Sequence, residues 1–216
     1  MKKRSNYIVF SAIAGILAGI GDLVSQFVLG TYYRGYSQLN DTVSKLGSSI
    51  SPVSDQISIL WIIVGVLLIF FGTGFRKEFS EKGRYAKIAS VLIMLYGFGE
   101  GIGSGVFKAN RVANVMTTSG IIHEILGSIG VISILIFPLI MQKVITKNEK
   151  PAFYLMSQIV FVSGIFFTLL FLFRFSAEEN NFFSIYKGLW QRLFVLNSYV
   201  YLLSIAITMI KRQVFK

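Results

Sequence analysis

The sequence predicts an all-α integral membrane protein, a bundle of six transmembrane helices forming one domain over residues 1–216. Hydrophobic residues make up 54% of the chain, and the mean hydropathy is +0.66, whereas soluble domains are typically about 45–50% apolar. The apolar residues are gathered into six segments, each near the ~20 residues that a helix needs to cross a bilayer. Lysine and arginine lie mostly at the ends of these segments, as in multi-pass membrane proteins.

The six segments form three hairpins in which no internal sequence repeat is evident. We place the spans at residues 7–30, 56–75, 88–107, 120–141, 153–175 and 189–210. The basic start of the chain is similar to the beginning of a signal peptide. The apolar run behind it is too long for one and has no evident cleavage site, so we interpret it as an uncleaved first span.

Charge predicts the orientation of the bundle. Of the 21 lysines and arginines, 14 lie on the side that holds both termini and seven lie on the other side. Because basic loops stay on the cytoplasmic side, we expect both termini in the cytoplasm and the protein in the plasma membrane. The net charge of +11 is explained in the same way, so we expect membrane lipids as partners and no nucleic acid.

Composition also narrows the chemistry. The chain has no cysteine and one histidine, which excludes disulfides, cysteine nucleophiles and multi-histidine metal sites. We expect no cofactor and no resident metal, although His123, Glu100 and Asp22 are the residues that would serve as ligands if a metal were bound.

The first span carries a continuous face of small and polar residues that ends at Asp22 and Gln26. Asp22 lies roughly 12 Å inside the span, counting 1.5 Å per residue. An ionisable group at that depth is costly unless it is paired or hydrated, so Asp22 is a candidate site residue. The alternative is a structural hydrogen bond that joins two helices.

The first loop, residues 31–54, is long for a simple connection, and long loops are often functional. Within it, residues 41–47 have the pattern of a short helix that Asp41 caps and Gly47 ends. We expect this loop to roof the outer end of the bundle.

The third span contains the segment Tyr96-Gly-Phe-Gly-Glu-Gly-Ile-Gly-Ser-Gly-Val106. On an α-helix, Phe98, Ile102 and Val106 form a narrow apolar stripe, while the glycines and Glu100 share the remaining surface. The glycines do not match a dinucleotide-binding motif and are typical of close helix packing. We therefore expect Glu100 to face the interior.

The other candidate residues lie near the same ends of their spans. His123 and Glu124 open the fourth span, Arg174 ends the fifth, and Gln191 and Arg192 open the sixth. The two arginines either reach the membrane interface or supply cations to the inner acids.

Three segments together resemble a bacterial membrane family, domain of unknown function 998. They are Asn40-Asp-Thr-Val-Ser-Lys-Leu-Gly47 with Ser51-Pro52, then His123 at the start of the fourth span, and Gly188-Leu-Trp-Gln-Arg192. The chain departs from the family pattern at Phe107-Lys108, where Phe-Pro is expected. The resemblance implies a six-span architecture over nearly the whole chain and implies no particular activity.

All of these ionisable groups fall in the outer half of their spans, which predicts an outward-open polar pocket beneath the first loop. The candidate residues are Asp22, Glu100, His123, Glu124, Arg174, Gln191 and Arg192. The favoured hypothesis is binding of a lipid headgroup or small amphiphile. The second is a membrane-embedded hydrolase with His123 as base or metal ligand, which we favour less because no nucleophile motif is present. The third is a structural ion-pair network.

The orientation can be tested with reporter fusions at either terminus. A reporter that is active only in the cytoplasm should be active at both ends, because the basic loops hold both ends inside. Activity of an externally folding reporter at either terminus would contradict this orientation.

Overall fold

The computed structural model of the protein describes residues 5–113, 115–175 and 181–214. Six long helices dominate it, and all six are long and apolar enough to cross a membrane. They are α1 (Asn6–Thr31), α2 (Ser54–Glu78), α3 (Arg84–Val106), α4 (Thr118–Val144), α5 (Pro151–Phe175) and α6 (Lys187–Val214). The predicted six-span helical fold is confirmed, and helix ends differ from the predicted ones by at most four residues. Lys2, Lys3, Arg4 and Lys216, which contribute to the orientation count, lie outside the described residues.

Short elements connect the spans. A 3₁₀ helix, Val43–Gly47, lies in the first loop, and a 3₁₀ turn, Ser80–Lys82, follows α2. Two antiparallel strands, β1 (Arg111–Val112) and β2 (Val115–Met116), lie between α3 and α4. A short helix, Phe182–Ile185, precedes α6. We call the end of the bundle that carries the first loop and the strands the loop side, and the opposite end the terminal side.

The six helices form a closed ring. Each helix packs against its neighbours in the chain, and α1 packs against α6 to complete the circle. The terminal half of the ring is filled by apolar and aromatic side chains. Phe137 packs edge-on against Phe75 and Tyr201, and the Tyr201 hydroxyl lies 2.5 Å from the Ser157 hydroxyl. This half is therefore closed, and any site within the ring must lie towards the loop side.

Ion pairs and hydrogen bonds hold the terminal side together. Glu78, which is only 1% exposed, pairs with Arg212 at 2.7 Å and accepts a hydrogen bond from Gln213. Lys82 donates to Glu149 at 2.5 Å; this bond, with one from the Thr146 backbone, lowers the pKa of Glu149 to about 2. These contacts tie the end of α6 and the loop before α5 to the end of α2.

One element differs from the prediction. The sequence pattern was interpreted as a regular α-helix, but residues Gly97–Gly103 of α3 form a π-helix centred on Glu100. A π-helix has a wider turn than an α-helix and often marks a functional site. Its period differs from the 3.6 residues per turn that the sequence argument assumed, so the pattern could not reveal it.

The glycines of this segment pack α3 against a neighbour on each side. A Cβ atom on Gly101 would lie 2.7 Å from the backbone nitrogen of Gly65 in α2. A Cβ atom on Gly99 would lie 2.9 Å from the backbone nitrogen of Gly130 in α4. Both distances are shorter than any real side chain tolerates, so α3 is wedged between α2 and α4 by direct backbone contact.

Gly101→Ala should destabilise the protein, because the added methyl group must push α3 away from the α2 backbone. Overpacking of this kind costs about 1–3 kcal/mol, which should lower both the thermal unfolding temperature and the yield of monodisperse protein in detergent. Gly21→Ala in α1 is the matched control, since nothing lies within 4 Å of its added Cβ. Equal stability of the two variants would contradict the wedge.

Candidate functional site

Three joined cavities occupy the loop half of the ring. The inner cavity, of about 30 Å³, lies on the axis between α1, α2, α3, α4 and α6. The lateral cavity, of about 280 Å³, lies between α3, α4, α5 and α6. A shallow basin of about 610 Å³ covers both from the loop side. Ser44 of the first loop lines all three, so we treat them as one compartment with three parts.

Polar and aromatic side chains from five helices line the inner cavity. They are Asp22, Gln26, Trp61, Tyr96, Glu100, Ser104, His123, Gln191 and Tyr199. Four of the seven sequence-predicted site residues, Asp22, Glu100, His123 and Gln191, are therefore brought to one point.

Asp22 reaches this cavity because α1 packs closely through its small-residue face. A Cβ atom on Gly19 would lie 3.0 Å from the ring of Tyr199, and one on Gly15 would lie 2.7 Å from the ring of Phe71. Both neighbours occupy the space that a larger side chain would need. One turn further along α1, Asp22 therefore points into the ring and is only 7% exposed.

The polar groups of α1 are only partly satisfied. The Gln26 amide nitrogen donates to the Asp22 Oδ2 atom at 2.9 Å. The Tyr199 hydroxyl and the Trp61 indole also face this carboxyl group, but the Asp22 Oδ1 atom makes no hydrogen bond of normal geometry. The Gln26 Oε1 atom is likewise buried without a partner. Among the described residues, two acceptor oxygens at the inner cavity thus lack a hydrogen bond of normal geometry.

Glu100 lies in a groove that two glycines of α4 create. A Cβ atom on Gly130 would lie 2.9 Å from the Glu100 Cγ atom, and one on Gly127 would lie 3.4 Å from its Oε1 atom. Within the described ranges of the chain, Glu100 makes no hydrogen bond or ion pair, and its charged neighbours act only at a distance. The groove therefore accommodates the carboxyl group but, among the described residues, gives it neither a hydrogen-bond donor nor a paired cation.

His123 is oriented by the end of α3. Its Nδ1 atom lies 2.8 Å from the Phe107 carbonyl oxygen, so in a neutral ring Nδ1 carries the proton and donates it to that bond. The Nε2 atom of this tautomer is then unprotonated and can accept a hydrogen bond. The ring is 4% exposed and lines both the inner and the lateral cavity.

Glu124 and Arg174 form the boundary between the lateral cavity and the basin, which both residues line. Their side chains pair at 2.7 Å, and the Arg174 guanidinium lies over the rings of Phe171 and Phe175 at 4.1 and 4.4 Å. The sequence left open whether Arg174 reaches the membrane interface or pairs with an acid. In the structure it pairs with Glu124.

The lateral cavity has apolar walls and opens sideways. Its apolar lining residues are Val131, Ile132, Phe171, Leu172, Phe194 and Val195. Ile132 and Leu172 are also 54% and 49% exposed on the surface of the bundle, so the opening lies between α4 and α5. Only 11% of the apolar window of α5 is buried, against 39% or more for each other span, which makes α5 the most exposed of the six helices.

The first loop covers the inner cavity. Val43 and Ser44 line the cavity, and the Val43 backbone N–H donates to the Gln191 side chain at 2.8 Å. Asp41 does not cap the short helix: the helix begins at Val43 after Thr42. The Asp41 carboxylate instead accepts from the Ser37 N–H in the turn before the helix and from the Lys45 side chain within it.

Arg192 fastens this roof. Its guanidinium donates to the backbone oxygen of Asp41 at 2.9 Å, to that of Gly188 at 3.0 Å and to the hydroxyl of Tyr36. Burial raises the pKa of Tyr36 although the nearby Arg192 lowers it, so the phenol stays protonated and also donates to the Thr42 carbonyl oxygen. Arg192 lines none of the three cavities described above.

The loop between α3 and α4 fastens the other edge of the roof. Asn110 exchanges two hydrogen bonds of 2.8 Å with Ser49, and Lys108 pairs with Asp55 at 2.6 Å. In the described part of the chain, no group of three or more His, Cys, Asp or Glu side chains is placed to hold a metal ion.

Trp61, Tyr199 and Tyr36 were missed from the sequence as site or roof residues. Trp61 and Tyr199 lie in apolar surroundings that look like ordinary core. Only the spacing of Gln191, Val195 and Tyr199, four residues apart on one helical face, could have indicated that Tyr199 reaches the same cavity.

The fold and its cavities define a polytopic helical membrane protein. Within that class, the chain belongs to the family described as "Protein of unknown function (DUF998)", whose model matches residues 13–208. No curated protein and no solved structure matched the chain. The family match confirms the resemblance seen in the sequence. The structure also brings two of the three resembling segments into contact, since Gln191 and Arg192 bind residues 41–43.

Arg192→Lys should loosen the roof, because a lysine cannot reproduce the planar set of donors that reaches two carbonyl oxygens and Tyr36. Losing hydrogen bonds of a charged group costs about 1.5–3 kcal/mol, so hydrogen exchange in residues 36–48 should accelerate about tenfold or more. Arg34→Lys, at an exposed position of the same loop, is the control and should leave exchange unchanged. Unchanged exchange in Arg192→Lys would contradict the assignment.

Proposed function

We propose that the protein binds a lipid headgroup or small amphiphile in an outward-facing polar pocket made of the inner and lateral cavities. One observation carries the proposal: an apolar-walled cavity of about 280 Å³ opens between α4 and α5 and ends on Glu100, His123 and Gln191. A ligand with an apolar tail and a polar head matches both parts.

Lateral access suits such a ligand. An amphiphile that enters between α4 and α5 keeps its tail in an apolar medium throughout, which avoids exposing each methylene to water at about 0.8 kcal/mol. The small buried fraction of α5 supports the proposal that this helix moves away from α4 when a ligand enters. The basin above offers a second route for the polar head from the loop side.

The proposal places the loop side outside the cell and the protein in the plasma membrane. This orientation rests on the excess of lysine and arginine on the terminal side. Under it, the head of the ligand lies in the outer leaflet, and membrane lipids are both the solvent and the source of ligands.

A purely structural role accounts less well for the chamber. An ion-pair network that only fixed helix register would pair its acids, as Glu124 is paired with Arg174. Among the residues that the structure describes, neither a lysine nor an arginine lines the inner cavity, although two carboxyl groups do. Uncompensated carboxyl groups inside a membrane protein are costly and commonly mark a site.

Catalysis is the second candidate, on the observation that His123 and Glu100 line the same cavity. An unprotonated Nε2 atom could act as a base towards a bound ester or amide. Loss of product formation in His123→Ala with ligand binding retained would favour this hydrolase over simple binding.

Ile132→Trp should block the pocket, because the larger side chain fills the mouth of the lateral cavity. We expect purified wild-type protein in lipid nanodiscs to be stabilised by added amphiphile, and the variant to need at least about tenfold more for the same shift. Ile129→Trp is the matched control, as Ile129 is also exposed on α4 but does not line the cavity. The proposal fails when no amphiphile stabilises the wild type, or when both variants respond alike.

A further inference from the structure

We propose that the head group bound by this pocket is a primary amine, with its ammonium in the inner cavity and its tail in the lateral cavity. The ammonium would lie between Asp22, Gln26 and Glu100. This inference rests on the proposed function and adds the chemical class of the ligand.

The acceptor atoms at the inner cavity favour a head group that only donates hydrogen bonds. Among the described residues, no group forms a hydrogen bond of normal geometry with the Asp22 Oδ1 or Gln26 Oε1 atom, although Tyr199 and Trp61 face the Asp22 carboxyl group. Both side chains are more than nine-tenths buried and line the inner cavity. The Glu100 carboxyl group lines the same cavity. A primary ammonium has three N–H donors and no acceptor, so it satisfies three acceptor groups at once.

The acidic lining of the inner cavity favours a positively charged head group. The cations nearest to the chamber are already engaged, since Arg174 pairs with Glu124 and Arg192 binds the roof. The lining of the inner cavity therefore contains acids without a cation, and a positively charged head would compensate them. A phosphate or carboxylate head would meet like charge at the same place.

The small volume of the inner cavity favours a small head group. The inner cavity, of about 30 Å³, holds a group of the size of a water molecule or slightly more. An –NH₃⁺ group is of that size, whereas a trimethylammonium group is several times larger. The rings of Trp61, Tyr96 and Tyr199 line the cavity, and aromatic side chains are favourable neighbours for a cation.

The connection between the cavities fixes the arrangement of head and tail. Glu100, His123 and Gln191 line both the inner and the lateral cavity, so a tail attached directly to the amine continues into the apolar part. In an aminophospholipid the phosphate lies between amine and tails and would fall beside Glu100. The geometry therefore favours a single-chain amine.

The test compares dodecylamine, dodecyltrimethylammonium and dodecanol at neutral pH, added to the wild-type protein in nanodiscs of neutral lipid, with thermal stabilisation as the readout. Dodecylamine should bind at least about tenfold more tightly than the other two, because hydrogen bonds to a charged group are among the strong ones. Asp22→Asn and Glu100→Gln should remove this preference, so that each variant binds dodecylamine no more tightly than it binds dodecanol. Glu149→Gln, on the terminal side, is the charge-matched control and should keep the preference.

The outcomes separate the two proposals. Equal binding of dodecylamine and dodecanol, both weakened by Ile132→Trp, would overturn the amine and leave the pocket intact. Failure of all three compounds to bind would overturn both proposals. The head-group series uses wild-type protein, so it remains decisive even where Asp22→Asn or Glu100→Gln fails to fold.

Discussion

The backbone contact of α3 with α2 and α4 is the constraint on which the rest of the structure depends. Gly101 lies against Gly65 on one side and Gly99 lies against Gly130 on the other, so a side chain is excluded at these two points of backbone contact. The π-helix that contains both of these α3 glycines directs Glu100 into the groove of α4. The same glycines that bring the helices together thereby leave a carboxyl group facing the interior of the ring.

The two halves of the ring differ in packing and polarity. Aromatic packing and the Glu78 contacts close the terminal half, which supplies rigidity. The loop half keeps polar groups and open volume, and its roof is held by Arg192 and Gln191 rather than by apolar packing. A cluster of uncompensated polar groups is tolerated there because the remaining fold is well packed, which is typical of functional sites.

The helices and the main candidates were predictable because they follow from length, hydropathy and spacing. Asp22, Glu100 and His123 became candidates because an ionisable group inside an apolar span stands out, and all three line the inner cavity. The π-helix was not predictable, because a 3.6-residue period was assumed. The roles of Arg192 and Arg174 could not be predicted, because the sequence does not show what an arginine side chain contacts. It can bind carbonyl oxygens, form an ion pair or reach the membrane interface from the same kind of position. The lateral opening depends on how closely α4 and α5 pack, which local patterns do not encode.

The most direct test of the central claim is an experimental structure of the protein purified in its native lipids. We expect elongated density that enters between Ile132 and Leu172 and ends beside Glu100. Closed packing of α4 against α5 at these two residues, with no density at the inner cavity, would contradict it.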